Sequence, residues 1–158
     1  AIVEYLHERY PERGIWPADP KARARARCLC AEMHAGFSAL RSHCPMNIEA
    51  HLPEVGERLW REQEAVRRDV ARIESMWAEA LAASGGPYLF GAFSAVDAFY
   101  APVCMRLRGY ALPVSGTTRS CVDRIAAAPG VARWIADALQ EHDWVAEDEP
   151  YRQRPAKP

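Results

Sequence analysis

The chain has 158 residues and a formal net charge of −1, with 49% hydrophobic and 26% charged residues. At roughly 100–200 residues per domain this is material for one globular domain, not for two full domains or an eight-unit βα barrel. About two-thirds of the unfolded surface is buried at this size, so no staples are needed, and the balanced charge gives no footing for nucleic acid or an anionic membrane, which call for excess Lys and Arg.

Apolar residues recur at helical spacing along the whole chain, strand-length alternation is missing and no internal repeat is visible. The first segment, Ala1 to Tyr10, is helical and ends at Pro11; because Ala1 is not a methionine and has no N-cap before it, the chain is expected to begin partway through a helix of a longer protein. Pro11 to Pro17 reads as an irregular connection. Asp19-Pro20 starts the next helix, with an oxygen acceptor at the N-cap and a proline where no N–H is needed. This helix is expected to run to about His43 and stop before Pro45. A second long helix spans about Pro53 to Ala83, with Leu59, Val66, Val70, Ile73, Trp77 and Leu81 on one apolar face and Ser84-Gly85-Gly86-Pro87 as its end.

A further helix starts at Ser94 and continues to about Arg108. Ser94-x-x-Asp97 fits a capping box in which each side chain reaches the other's backbone N–H, and the apolar Ala98-Phe99-Tyr100-Ala101 that follows is expected to be buried. Two short helices, about Thr117–Ala127 and Pro129–Leu139, meet at Pro129-Gly130, and Trp134 and Tyr110 read as core aromatics. The tail from Asp143 ends in a charged, proline-rich stretch expected to be disordered beyond Arg152. The fold class is therefore all-α, a bundle of five or so helices preceded by one that belongs elsewhere.

The five cysteines, Cys28, Cys30, Cys44, Cys104 and Cys121, are odd in number, lack a C-x-x-C pair and lie in helical stretches. Together with the absence of a basic leader before Ile2, they point to reduced thiols in a cytoplasmic setting. The long nearly uncharged stretch from Ser84 to Met105 is interrupted by glycines, prolines and Asp97, so it reads as a buried helix with its approach loop and not as a bilayer span.

Chemistry concentrates on the helix from Pro20. Lys21, Arg23, Arg25 and Arg27 recur every second residue and fan around the axis, as a solvated face does; nucleic-acid binding through them is opposed by the acidic residues of Glu54–Glu79. Arg27, Ala31, His34, Ser38 and Arg41 fall at i, i+4, i+7, i+11 and i+14 beside the core positions Leu29, Met33 and Leu40. That stripe could line an anionic pocket, or His34 could cap or pack at the core's edge. Cys30 and His34 at i, i+4 do not make a metal site, because zinc needs three or four ligands and His7, His43, His51 and His142 show no matching spacing. A mid-helix thiol also lacks the helix-N-terminal context that activates a nucleophile.

The run Ala31-Glu32-Met33-His34-Ala35-Gly36-Phe37-Ser38-Ala39-Leu40 resembles the fourth helix of bacterial, beta-like glutathione S-transferases. Ala1 to Leu6 resembles the last helix of their thioredoxin-like domain, Pro11 to Asp19 their interdomain linker, and Ser94-x-x-Asp97 the capping box of their sixth helix; the four stand in register from Ala1 to about Trp144. The resemblance implies residues 1–10 as the end of a truncated thioredoxin-like domain, 11–19 as linker, 20–145 as the helical C-terminal domain and 146–158 as a partly disordered tail. It implies glutathione as co-substrate beside Arg27, Ala31, Glu32, Met33 and His34, with His34 assisting at the sulfur, Glu32 reaching across a homodimer to the neighbour's ligand, and Phe37 walling the pocket of a small electrophile. No tightly bound cofactor and no metal are implied. Ala35 stands where a lysine often follows the histidine, Arg27 where an asparagine is expected, and Phe93 faces a small Ala98 in the hydrophobic staple. The main donor to the sulfur lies on the thioredoxin-like half, so this chain is expected to be inactive alone. The alternative is a non-catalytic helical interaction or scaffold domain of the same fold.

Overall fold

The computed structural model describes residues 1–153. Among these the regular structure is helical: α1 (Ile2–Arg9), α2 (Pro20–Ala35), α3 (Ser38–His43), α4 (Pro53–Glu62), α5 (Glu64–Ser84), α6 (Ala95–Gly109), α7 (Gly116–Ala127) and α8 (Pro129–Glu141), with single 3-10 turns at Pro11–Arg13 and Ala146–Asp148. The all-α expectation holds. None of these helices is long and apolar enough to cross a membrane.

Helix α6 is the axis of the bundle. Val96, Asp97, Tyr100, Ala101, Val103, Cys104, Met105 and Leu107 are all buried, so apolar contact surrounds it on most sides, as expected for a helix with other helices packed around it. Val66, Val70, Ile73 and Trp77 of α5 are buried as the expected stripe, Met76 and Ala80 join them, and Leu81 is only half-buried. The Trp77 and Tyr100 rings meet edge to face at 5.4 Å, and the Tyr100 hydroxyl donates to the Leu29 carbonyl of α2 at 3.1 Å. One buried hydroxyl thus ties the central helix to the helix that carries the chemistry.

The two long helices expected from the sequence are each broken. The helix from Pro20 ends at Ala35: Gly36 is extended and Phe37 takes a left-handed φ of 57° before α3 begins. A Cβ on Gly36 would stand 2.7 Å from the Glu32 carbonyl oxygen, so the turn needs a glycine there. The new helix start is stabilised from a distance, because the Leu40 N–H donates to Asp69 of α5 at 2.9 Å. The helix from Pro53 breaks at Gln63, where the Arg67 guanidinium turns back to the carbonyls of Trp60 and Arg61, which α4 leaves without helical partners.

The Ser94–Asp97 capping box forms. Asp97 is fully buried and accepts from the Ser94 N–H at 2.9 Å, the Ser94 hydroxyl at 3.1 Å and the Leu89 N–H at 3.1 Å. The apolar run after it is only partly buried: Tyr100 and Ala101 are inside, Phe99 is half-buried and Ala98 is exposed. Trp134 also departs from expectation. It is 36% exposed on α8, beside the exposed Phe93, whereas Tyr110 is core.

Beyond α8 the chain does not leave the bundle. Tyr151 meets the Tyr110 ring edge to face at 6.1 Å and donates its hydroxyl to the His43 carbonyl at 3.0 Å. Arg152 binds Glu49 at 2.8 Å, and the buried Glu149 accepts from Asn47. Glu149, Tyr151 and Arg152 therefore strap the first part of the expected tail to the bundle; of the stretch expected to be disordered beyond Arg152, Gln153 is exposed and residues 154–158 lie outside the described ones.

Candidate functional site

Helix α2 begins as its sequence dictates. The Asp19 carboxylate accepts from the Ala22 N–H at 2.8 Å, with Pro20 at the first position, and the helix end is closed by the Gly36 N–H on the Glu32 carbonyl. Leu29 is buried and Met33 packs against the core. Arg27, Ala31 and His34 share an outer face at i, i+4 and i+7. At its N-terminal end this face meets α1: Arg27 makes a bidentate pair with Glu4 at 2.9 and 2.7 Å, and its guanidinium lies 5.4 Å from the centre of the Trp16 ring. The hydrogen bonds from Arg27 hold the Glu4 carboxyl below the usual range. Ala31 and His34 continue the face in the open, and among the described residues the His34 ring has no hydrogen-bond partner.

Glu32 points to the other side of α2. Arg72 of α5 grips it through two bonds of 2.7 and 2.9 Å, and this donation lowers its pKa. The last turn of α2 is fixed by Arg41, which donates to the Met33 carbonyl and, at 3.0 Å, to the His34 carbonyl. Because of the break at Gly36, Ser38 and Arg41 do not extend the outer face of α2 as the i+11 and i+14 spacing predicts. Phe37 is 7% exposed, with its ring in the hydrophobic core and not standing in an open cleft of this chain.

The geometry thus brings Ala31 and His34 together on one open face. It locks Glu32 sideways to α5, joins Arg27 to α1 and withdraws Phe37. Cys30 is buried, and that burial pushes its thiol up to about 12, so it has no thiolate character at neutral pH. All five cysteines are free, and only Cys28 is exposed. Among the described residues no group of three or more His, Cys, Asp or Glu gathers in a way that would hold a metal ion.

Four residues that shape this site escape sequence reasoning: Glu4, Asp69, Arg72 and Trp16. Three of them act on partners 23 to 40 positions away, Glu4 on Arg27, Asp69 on Leu40 and Arg72 on Glu32; no local spacing signals such contacts. Arg41 was visible as part of a stripe, but its real partners are backbone carbonyls.

No curated protein matches the chain in sequence. The family described as Glutathione S-transferase, C-terminal domain matches residues 20–137, from the first residue of α2 to within α8 and so over most of the chain. The chain belongs to that family.

Proposed function

We propose that this chain supplies the helical half of a glutathione-conjugating enzyme, working with a thioredoxin-like domain that grips glutathione and acting on small electrophiles, in the cytoplasm and as a homodimer. The observation that carries this reading is the open, uncommitted imidazole of His34 on the α2 face where α1 docks, in a chain of this family. A free thiol near pKa 8.5 is mostly protonated at neutral pH, so donors placed around the sulfur raise the thiolate fraction and hence the rate. His34 would supply one such donor. Ala31 beside it is small enough for a peptide to lie against the helix, and Met33 would help back that wall. Glu32 enters as a carboxylate held by Arg72, so a reach across the dimer requires the two to move as a pair.

A second reading, a non-catalytic helical docking domain, draws support from Arg27 and Phe37, two proposed ligand-side residues that are engaged in structural contacts. Turnover of the full protein, with and without His34, separates the two. In the full protein, His34→Ala should lower kcat about tenfold while the Kd for glutathione changes little, the pattern of a group acting in the transition state. Unchanged turnover in a folded variant would show that His34 is merely packed, whereas no glutathione-dependent turnover in the unmutated full protein would favour the docking reading.

A further inference from the structure

Helix α2 stops one residue after His34, so its last carbonyls have no helical partners and must find others. The Glu32 carbonyl accepts from the Gly36 N–H at 2.8 Å. Those of Met33 and His34 accept from one terminal nitrogen of Arg41, the second at 3.0 Å. That second bond falls on the peptide of His34 itself. It fixes the backbone from which the imidazole projects, and only the side-chain torsions remain to place the ring.

The clamp comes from across the break. Gly36 is extended and Phe37 left-handed, and this turn lets Arg41, in the first turn of α3, reach back to the end of α2. The start of α3 is anchored as well: the Arg41 N–H donates to the Phe37 carbonyl at 3.0 Å, and Asp69 of α5 accepts from the Leu40 N–H at 2.9 Å. The arm that holds His34 is thus itself held from α5.

Arg41 is exposed and makes no ion pair among the described residues. The half-buried Arg106, bonded to the carbonyls of Cys44 and Pro102 at 3.0 and 3.3 Å, lies within its field. Burial lowers the Arg106 pKa, and the charge of Arg41 lowers it further. A guanidinium set beside a second cation and without a carboxylate is placed by the carbonyls it caps, where the negative end of a helix favours it. We infer that Arg41 is a positioning residue for His34: by closing the last turn of α2 it keeps the imidazole turned to the open face. The inference rests on the reading of His34 as a donor to the sulfur, and one of its readouts does not use turnover.

The test uses the full protein with isotope-labelled histidines and the variant Arg41→Met, which keeps a stem of similar length and removes the donors at an exposed site. NMR relaxation should show the His34 ring loosened, and the Gly36 amide should exchange about fivefold faster, the effect of one lost hydrogen bond on local opening. The kcat should fall about threefold with the Kd for glutathione little changed, because the ring is competent only part of the time. Arg41→Lys, a charged donor, should recover part of that loss. In the His34→Ala background Arg41→Met should add almost nothing, since no ring is left to position. A ring as ordered in Arg41→Met as in the parent, or a threefold loss that persists in full without His34, overturns the positioning role. Absence of turnover in the unmutated protein overturns the conjugation reading instead, and the ring measurement still decides the clamp.

Discussion

Asp97 is a carboxylate with no solvent around it, retained because three donors converge on it. Burial raises its pKa, and the hydrogen bonds from Leu89 and Ser94 counter part of that rise. Replacing it with alanine leaves two buried N–H groups without acceptors, each costing about 1–3 kcal/mol. Asp97→Ala should therefore lower the unfolding free energy by about 3 kcal/mol in urea titration, and Asp97→Asn, which keeps one acceptor oxygen, by less. The pair with Ser94 was legible in the sequence because it is local, i to i+3. The Leu89 contact was not, since it depends on how the loop from Gly85 to Phe93 folds back. The candidate site divides the same way. His34 and Ala31 could be placed on one face from helical periodicity alone, whereas the engagement of Glu32, Arg27 and Phe37 follows from Arg72, Glu4 and the left-handed backbone at Phe37, none of which has a local signal.

Pairs of elements meet at specific close approaches, and the tightest is that of α4 with the end of α6. A Cβ built on Gly56 would lie 1.7 Å from the Tyr110 carbonyl oxygen, and the Leu52 N–H bonds the Gly109 carbonyl at 2.7 Å just beside it. Gly56→Ala must push the two helices apart and should cost about 2–4 kcal/mol. Gly130, in the first turn of α8, has open space where its Cβ would go, so Gly130→Ala should instead stabilise by about 0.5 kcal/mol. Thermal unfolding of the two variants should shift in opposite directions. Helix positions were largely readable from caps and prolines, as at Asp19-Pro20 and Pro129. The breaks at Gly36 and Gln63 were not, because each is stabilised by a side chain, Asp69 or Arg67, that satisfies backbone groups on another helix.

Both ends of the described residues are fastened to the bundle by carboxylates paired with arginine: Glu4 with Arg27 at the first helix, Glu49 with Arg152 at the strap. Each of these carboxyls is held below its ordinary range, chiefly by hydrogen bonds from its arginine. A lowered folded-state pKa gives stability that is present above the unfolded value of about 4.3 and is lost as pH falls through the folded value. Asp97 has the opposite sign: its raised pKa means that protonation in acid relieves a burial cost. Acid should therefore release the ends before the core. Glu4→Gln should lower the thermal midpoint at pH 7, leave it unchanged near pH 2 and flatten the acid limb between, measured by circular dichroism. Trp16 sits buried beneath the same guanidinium that holds Glu4. Its indole is consequently a built-in optical gauge of that joint: parting of the first helix from the body strips the Glu4 carboxylate from the guanidinium above the ring, and the colour of its emission records the change in field without any attached dye.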